Sequence, residues 1–483
     1  MSSKPNFSRE YLAKTHPGRE TAGTFRDPAG QLYLTPTHAV RRIHPGAAQD
    51  TLAFLTSPLR AALEQSGDLI ESKKIGEERD EIWLEHPRVD PISYPWEWCA
   101  AQWLAAAEVT LRVADQALDA GWTLKDATPL NIVFRGTTPV LVDVLSFERS
   151  KPTASTWPAY GQFVRTFLLP LIAAKYLNWS LQATLLNRDG YEPRELYRSL
   201  RFWQRIHPDL VDVVTLAAFI QPRSGASQKL PSVSDPELAK HILHKRLARL
   251  GKQVRRAANT TRSTEWSEYQ AQASHYSSAD KEDKQRFVRR VLKQCGPGRV
   301  LDIGANTGTY SLLAAESGAE VVAIDSDAGA IENLWKTATQ QGNSITALVA
   351  NIARPTPPMG WKNREQLSLL DRLAGQFDMV LLLAVIHHLI LREQIPLGHI
   401  GELCDLLTRR WVLVEWVPPS DAMYQEWLRG RENLYGQLSE DDLLLAFRPY
   451  FHPCDRRVLG NNRVLLLFER NHVVEERPRA TMA

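Results

Sequence analysis

Residues 300–325 read VLDIGANTGTYSLLAAESGAEVVAID, and this stretch decides the fold of the chain around it. The run 300–303 is apolar and rich in β-branched side chains, and a second apolar run, 321–324, ends on Asp325. Between them lie a loop from Gly304 to Gly308 and a helix-compatible segment. The pattern predicts a strand, a tight loop, a helix and a second strand that closes on an acidic residue.

The predicted loop is suited to a nucleotide-like ligand. Gly304 and Gly308 lack side chains where the backbone would approach a ligand, and the start of the following helix offers free N–H groups. Asp325 lies about 20 residues past the loop, where a carboxylate can accept both hydroxyls of a ribose. We therefore predict that Gly304, Gly308 and Asp325 bind a cofactor.

The spacing of the loop distinguishes two ligand classes. A dinucleotide loop usually reads GxGxxG, whereas three residues separate Gly304 from Gly308, and Asp302 at the strand end would repel a pyrophosphate. The same acid can receive the cationic methionine end of S-adenosylmethionine. The stretch DIGANTG resembles motif I of class I methyltransferases, with Asn306 where many members carry glycine. The resemblance implies a Rossmann-like, seven-stranded α/β sheet; a unit of this kind without a ligand is the alternative.

Length and composition limit the remaining possibilities. A chain of 483 residues is too long for one compact core and predicts two or more domains. A net charge of +3 does not by itself indicate nucleic acid. The four cysteines are scattered without a CxxC pair, which predicts no metal site or disulfide framework and fits the cytoplasm. No apolar run reaches the roughly 20 residues of a membrane span.

A second informative stretch, GWTLKDATPLNIVFRGTTPVLVDVLSFE, occupies residues 121–148. Asp126 and Asn131 stand in a predicted loop, and a hairpin follows that ends on Asp143. The arrangement resembles the catalytic loop and metal-binding acid of kinase-like phosphotransferases, where the three residues serve a nucleotide and magnesium. No histidine precedes Asp126, no glycine-rich loop is visible upstream, and DVLSF replaces DFG. A degenerate α+β scaffold, an active kinase and an unrelated domain all stay open.

A composition change at 221–236, QPRSGASQKLPSVSDP, predicts a linker. The next helix places leucines on one stripe and Lys245, Arg249, Lys252 and Arg256 on another. This basic face either contacts RNA or lipid head groups or is a solvated face of a packed helix. The predicted domain organisation is a polar segment at 1–29, a kinase-like domain without catalysis at 30–221, a linker and basic amphipathic helix at 222–262, a methyltransferase domain at 263–470 and a charged tail at 471–483.

Polar residues follow the later predicted strands of the methyltransferase half. Asn351 ends a strand at 345–350 and can hydrogen-bond an adenine. His387 and His388 end the apolar strand 377–385, where the ligand crevice of an α/β sheet lies. One of them, with His387 preferred, is a candidate general base, and both packing under a helix is the alternative. Glu415, near the end of a strand at 411–417, could orient a histidine or bind substrate hydroxyls.

Aromatic residues precede the motif, at positions where methyltransferases commonly place a lid. Tyr276 is our candidate to stack on the cofactor, and packing would explain it almost equally well. The whole set of motifs, which includes LKDATPLNIVF, AVIHHL and EWVPPSD, is similar to a family of two-part bacterial methyltransferases with nodulation-protein-like members. That family implies methyl transfer to glycan or lipid-linked products. In that family an acidic residue is expected at position 351, where this chain has Asn351.

Three functions therefore compete at the level of sequence. We expect an S-adenosylmethionine-dependent methyltransferase acting on a hydroxyl or amine of a small molecule, glycan or lipid-linked acceptor. An RNA or protein methyltransferase is less favoured, because only the basic helix supports nucleic acid. The third is a kinase-like module that binds ATP or transfers phosphate. The oligomeric state stays open.

Overall fold

We describe the protein from a computed structural model, over residues 19–20, 25–35, 37–219, 233–259, 278–429 and 438–471. The described residues fall into two compact units. The first unit takes its residues from 1–135, 139–261 and 359–366, and the second from 136–138, 262–358 and 367–483. The segment 359–366, which sequence analysis predicted within the methyltransferase domain, therefore groups with the first unit.

The first unit begins with a five-stranded antiparallel sheet in the order β1-β2-β3-β5-β4. Its strands are β1 Arg19–Glu20, β2 Gly30–Leu34, β3 His38–Ile43, β4 Lys73–Glu78 and β5 Glu81–Pro87. The hairpin of β2 and β3 was predicted from its turn residues. Because β1 pairs with β2, part of the predicted N-terminal segment 1–29 belongs to this sheet.

Two two-stranded sheets complete the strands of the first unit. They are formed by β6 Trp122–Leu124 with β9 Phe147–Arg149, and by the hairpin of β7 Ile132–Arg135 with β8 Thr138–Leu141. The second of these is the hairpin predicted before Asp143. Tryptophans fill the core between the elements, and four of them are fully buried: Trp98, Trp103, Trp122 and Trp157. They are core residues, as the sequence indicated.

The helices of the first unit follow their sequence signals. Pro58 separates the first two helices, and the Ser57 side chain caps the second. Gly121, at φ +74°, follows the long third helix in a left-handed conformation that glycine adopts without strain. The helices are α1 Pro45–Leu55, α2 Pro58–Gln65, α3 Ala100–Asp119, α4 Tyr160–Phe163, α5 Leu169–Ile172, α6 Pro193–Ser199, α7 Phe202–Arg205 and α8 Pro236–Ala258. Around Pro170 the chain continues helically, with π-helical turns at Val164–Leu168 and Ala173–Leu177.

Helix α8 is the basic amphipathic helix predicted within 222–262, and it packs against α3 in the first unit, which corresponds to the alternative of a packed helix with a solvated face. Its leucine stripe is buried as predicted. On the basic face, Arg249 pairs with Asp212 at 2.6 Å and Arg256 pairs with Asp209 at 3.1 Å. The two arginines of the predicted basic face are therefore paired with carboxylates of their own unit.

The second unit contains a seven-stranded sheet in the order β12-β11-β10-β13-β14-β16-β15. Its strands are β10 Arg299–Ile303, β11 Glu320–Asp325, β12 Ile345–Val349, β13 Phe377–Leu382, β14 Thr408–Trp416, β15 Phe451–Val458 and β16 Val464–Arg470. The first five are parallel, and β16 and β15 form the predicted reversed hairpin. That hairpin was predicted from Leu445, which instead lies in a helix.

Helices cover both faces of this sheet and bury its apolar strands. They are α9 Ser278–Cys295, α10 Thr309–Glu316, α11 Ala328–Gln341, α12 Leu369–Leu373, α13 Ile386–Leu391, α14 Leu397–Leu407, α15 Ala422–Leu428 and α16 Glu440–Phe447. Among all described residues, no helix is long and apolar enough to cross a membrane.

Candidate active site

A cavity of about 950 Å³ opens at the carboxyl ends of the parallel strands of the second unit. The strand order reverses between β10 and β13, and ligands of α/β sheets bind at such a switch point. The cavity is lined by the loop 303–307, by Asp325 and the residues after it, by 350–352, and by 383–385 with the start of α13. The predicted strand-end residues therefore meet at one edge of the sheet.

The glycines of the loop are required by packing. A Cβ at Gly308 would lie 2.1 Å from Leu334 Cδ1, and one at Gly304 would lie 2.4 Å from Val385 Cγ2. Both residues have positive φ, +72° at Gly304 and +85° at Gly308. Gly304 also lines the cavity, whereas Gly308 does not. The predicted reason, close approach to a ligand, therefore applies at most to Gly304.

Asp325 is fixed at the cavity wall by main-chain donors. Its Oδ2 accepts from Asn306 N–H at 2.8 Å, and its Oδ1 accepts from Asp327 N–H at 2.9 Å. Burial raises the pKa of this carboxyl, and the main-chain N–H groups oppose that shift. Each carboxylate oxygen can accept a further hydrogen bond. The acid is thus oriented before any ligand binds.

Asp302 lies behind the cavity wall and does not line it. Its Oδ2 accepts from the Ser311 hydroxyl at 2.6 Å, and its side chain is buried. Burial raises the pKa of Asp302 to about 6, while Ser311 and Lys284 oppose that shift. Asp302 would therefore attract the cationic end of a ligand by its charge from behind the lining residues, without the direct contact that was predicted.

Asn351 lines the cavity, as predicted, and its Oδ1 accepts from Ala353 N–H at 2.9 Å. This bond orients the amide, and the amide oxygen can still accept one more hydrogen bond. Tyr276, the predicted stacking residue, lies outside the residues that the structure describes.

The two histidines lie in the first turn of α13, because β13 ends at Leu382 rather than at 385. The His387 side chain is 2% exposed and lines the cavity, and neither ring nitrogen has a hydrogen-bond partner among the described residues. Burial holds the pKa of His387 well below its usual value, and His388, Arg463 and Lys284 add to the shift. The ring is therefore neutral at neutral pH.

His388 also lines the cavity, with its ring centroid 4.1 Å from that of His387. Burial lowers the pKa of His388 to about 4, and Arg392 and Arg463 lower it further. The prediction that only one of the two histidines faces the pocket is wrong, since both contribute to its wall. They differ in that the unpartnered nitrogens belong to His387.

Glu415 belongs to a buried ionic cluster that sequence reasoning missed. It is completely buried, its Oε2 accepts from Lys284 Nζ at 2.5 Å, and its Oε1 lies 3.6 Å from Arg463 Nη1. Arg463 also forms a two-pronged pair with Asp421, at 2.8 and 3.1 Å. Lys284 and Arg463 line the cavity, whereas Glu415 does not. The glutamate therefore positions two cations.

The sequence comparison agrees with this geometry. Residues 273–440 match the family model described as a methyltransferase domain. The second unit is a class I methyltransferase domain. Its methyl donor is S-adenosylmethionine, as predicted from the spacing of the loop.

The chain is also similar to a curated protein over most of its length and to solved structures over a smaller part. Nodulation protein NoeA of Rhizobium meliloti (strain 1021) is 27% identical over 478 residues, which cover 96% of this chain and 98% of that protein. Two solved structures are similar at a TM-score of 0.31 each. Magnesium protoporphyrin IX methyltransferase from Synechocystis PCC 6803, with bound S-adenosylhomocysteine, is 18% identical and covers 45% of this chain and 92% of its own. N-methyltransferase NodS from Bradyrhizobium japonicum WM9 is 13% identical and covers 40% of this chain and 98% of its own.

The residues of the methyltransferase domain fit its donor. A side chain at Gly304 would fill the space beside the loop, and the fixed carboxylate of Asp325 offers acceptors for hydroxyl groups. The neutral His387 faces the same cavity without competing for a cation. No metal is needed to explain this donor set, and within the described ranges no group of three or more His, Cys, Asp or Glu side chains is arranged to hold one.

The first unit also brings its predicted residues together. Asn131 Nδ2 donates to Ser146 Oγ at 3.3 Å, and that hydroxyl donates to Asp143 Oδ2 at 2.6 Å. Burial raises the pKa of Asp126, and the negative charge of Asp143 adds to the effect. Arg41 Nη1, which sequence reasoning missed, donates to Asp143 Oδ1 at 2.9 Å. An arginine therefore neutralises the acid that would hold a metal in a kinase.

Proposed function

We propose that this methyltransferase modifies a hydroxyl or amine of a small molecule, glycan or lipid-linked acceptor, with His387 as the general base. One observation carries the proposal: a histidine whose two ring nitrogens have no hydrogen-bond partner among the residues described lies almost completely buried in the wall of the donor cavity. A buried polar group without a partner is costly, and such groups cluster where function requires them.

The residues that would hold the donor lie on the sheet side of the cavity. Asp325 would accept from ribose hydroxyls, Asn351 would pair with the adenine, and Asn306 and Gly304 would form the loop around the methionine part. When bound, S-adenosylmethionine supplies an electrophilic methyl group on a positively charged sulfur. The chain need only position the acceptor and remove its proton.

His387 is placed for that proton. Burial and nearby cations hold the pKa of His387 low, which keeps the imidazole neutral but also weakens it as a base. The assignment therefore rests on position, because the ring lines the cavity and neither of its nitrogens has a hydrogen-bond partner among the described residues. Lys284 and Arg463 line the same cavity as cations, bound to Glu415 and Asp421. A cation cannot accept the proton, and Glu415 is turned away from the cavity. His387 is therefore the best-placed base.

The size of the cavity leaves room for an acceptor. Ligand pockets span roughly 300–1,000 Å³, so a cavity of about 950 Å³ is large for a single small ligand. Support for a glycan or lipid-linked acceptor comes from the resemblance to two-part nodulation-protein-like methyltransferases. An RNA acceptor is disfavoured, because Arg249 and Arg256 on α8 are neutralised by aspartates of the first unit.

For the first unit we propose a kinase-like scaffold, in residues 30–221, that binds without transferring phosphate. The placement of Asp126, Asn131 and Asp143 in one cluster supports the kinase likeness. The pairing of Arg41 with Asp143 supports the absence of phosphoryl transfer, since magnesium would have to displace a guanidinium. Magnesium-dependent ATP binding that disappears in Asp143→Asn would contradict this assignment. A cytoplasmic location stays a prediction from the scattered cysteines.

The base is tested by tritiated methyl transfer into fractionated extract of cells that express the chain. We expect His387→Gln to lower the transfer rate by about 10²- to 10⁴-fold, the usual contribution of a general base. Calorimetric binding of S-adenosylmethionine should be unchanged. His388→Gln is the matched control, because it removes the neighbouring ring and leaves the unpartnered nitrogens. Equal losses in both variants, or no loss in His387→Gln, would refute the role of His387.

The donor site has its own test. Asp325→Ala should weaken S-adenosylmethionine binding by about 10- to 100-fold, because hydrogen bonds to a charged group contribute about 1.5–3 kcal/mol. Asp327→Ala, at a cavity residue whose carboxylate caps α11, is the control. Unchanged affinity in Asp325→Ala would refute the placement of the ribose, whatever the histidine variants show.

A further inference from the structure

The first unit carries an exposed apolar patch away from its predicted ligand cluster. We call it the 202–219 patch. Its large side chains are mostly open to solvent: Phe202 is 76% exposed, Trp203 62%, Ile206 69% and Phe219 68%. Apolar patches of this kind mark interaction surfaces, because exposed aromatic and aliphatic groups gain free energy when they are covered.

Ring contacts join the segments of the patch into one surface. The Arg205 guanidinium of α7 lies 4.4 Å from the ring centroid of Tyr197 on α6. The Tyr197 ring in turn lies 5.1 Å from the ring of Phe219, edge to face. These contacts hold α6, α7 and the turn at Ala217–Phe219 together, and each of α7 and the turn exposes large apolar side chains.

Arginines surround this face. Arg194 and Arg198, one helical turn apart on α6, and Arg201 beside α7 are all exposed. Within the described part of the chain, none of the three forms a salt bridge. The Arg201 guanidinium instead lies 5.4 Å from the Trp203 ring centroid. This contrasts with Arg249 and Arg256 on α8, whose charges are met by aspartates. Glu195, also exposed on α6, offsets part of this charge, and the three arginines leave these segments with a positive balance.

This combination indicates an anionic surface with an apolar layer beneath it. Guanidinium groups pair with phosphate in a forked geometry, and Trp and Phe rings insert at the level of lipid head groups. A nucleic acid would match the arginines but would leave Ile206 and the aliphatic part of the patch uncovered. We propose that the 202–219 patch docks the first unit on the surface of an anionic lipid bilayer. The inference does not depend on the proposed methyl transfer.

Vesicle flotation tests the docking directly, with the full chain and two vesicle types. We expect binding to vesicles of phosphatidylcholine and phosphatidylglycerol in equal amounts, weak binding to phosphatidylcholine alone, and loss of binding as salt rises. Phe202→Ser, Trp203→Ser and Ile206→Ser together should lower the bound fraction about tenfold or more, because apolar contact drives insertion. Arg198→Gln with Arg201→Gln should lower it by roughly fivefold for each arginine at low salt.

The control variant carries Leu445→Ser and Val458→Thr, at exposed apolar positions of the second unit, and should bind as the wild type does. Circular dichroism of each variant checks the fold. Three outcomes would overturn the proposal. The first is no binding to anionic vesicles at low salt, and the second is equal binding by the wild type and the triple variant. The third is a wild type that does not bind vesicles but forms a dimer in light scattering, with the triple variant monomeric. The last result would assign the patch to a second copy of the chain.

Discussion

The two units of this chain each bring acids, an amide and a cation to the ends of strands, yet they use them differently. In the first unit, Asp143 is shared by Arg41 and Ser146, so its charge is met inside the cluster. In the second, Lys284 pairs with Glu415 and Arg463 with Asp421, and the ring nitrogens of the neutral His387 have no hydrogen-bond partner in the described part of the chain. The first cluster leaves a donor, Arg41 Nε, without a partner among the described residues, whereas the second leaves the ring nitrogens of a neutral imidazole at a large cavity.

The difference shows that residue type alone does not identify a reactive site. Acidic residues near strand ends occur in both units, and a sequence pattern singled out both. What separates them is the kind of group that is left without a hydrogen-bond partner. The guanidinium nitrogen of Arg41 can only donate, whereas a neutral imidazole also has an acceptor nitrogen that can act on a ligand. The predictions below remove individual members of the two clusters.

The largest effect is expected at Lys284. Lys284→Met removes the main partner of a fully buried Glu415, and breaking such a pair costs about 3–5 kcal/mol in the free energy of unfolding. Urea denaturation measures it. Lys74→Met, which breaks an exposed pair with Glu77, should change stability by less than about 1 kcal/mol. If Lys284→Met and Lys74→Met lower the free energy of unfolding by similarly small amounts, water reaches the pair of Lys284 and Glu415.

A smaller loss is expected at the loop beside the second cluster. Gly308→Ala places a Cβ 2.1 Å from Leu334 Cδ1 at φ +85°, which should cost about 2–4 kcal/mol through overpacking and left-handed strain. Gly318→Ala, at φ +94° with no atom within 4 Å, should cost only about 1–2 kcal/mol. The pair of denaturation midpoints separates packing from backbone strain, and equal losses would contradict the packing role.

The histidines should make stability depend on pH. The pKa of His388 is about 4 in the folded chain and about 6.5 when unfolded, so between these values the unfolded chain binds more protons. Its contribution to stability is therefore lost as pH falls, by about 1.5 kcal/mol from pH 6.5 to 5. Asp302, with its pKa raised to about 6, changes stability with pH in the opposite direction. Because Asp302 is present in the wild type and in His388→Gln, its effect cancels when these two proteins are compared.

Thermal unfolding of the wild type and His388→Gln across that pH range isolates the effect. The stability of the variant relative to the wild type should rise as pH falls. A difference that is independent of pH would mean that the ring is not held neutral by burial.

The smallest effect is expected in the first unit. Arg41→Met leaves Asp143 with the Ser146 hydroxyl and the Leu145 N–H, so we expect a loss of only about 1 kcal/mol. Methyl transfer should be unchanged, because the cluster takes no part in it. A loss of methyl transfer in Arg41→Met, with the fold intact by circular dichroism, would show that the cluster of the first unit takes part in the reaction.

Local features of the second unit could be predicted from sequence, since β10, its glycine loop and Asp325 lie within the consecutive residues 299–325, which encode them by apolar runs and glycines. The end of β13 could not, because the apolar run continues past Leu382 while Ala384 turns to φ +59°. Lys284 and Glu415 are 131 residues apart and Arg41 and Asp143 are 102 apart. Such pairs leave no local pattern, because only the tertiary fold brings them together.

The central claim is that His387 removes the acceptor proton and that the cluster of the first unit does not take part. The most direct measurement compares initial rates of tritiated methyl transfer in His387→Gln and Asp143→Asn at saturating S-adenosylmethionine. The account predicts a rate lowered by about 10²-fold or more in His387→Gln and unchanged in Asp143→Asn. A full rate in His387→Gln, or a matching loss in Asp143→Asn with donor binding intact, would contradict it.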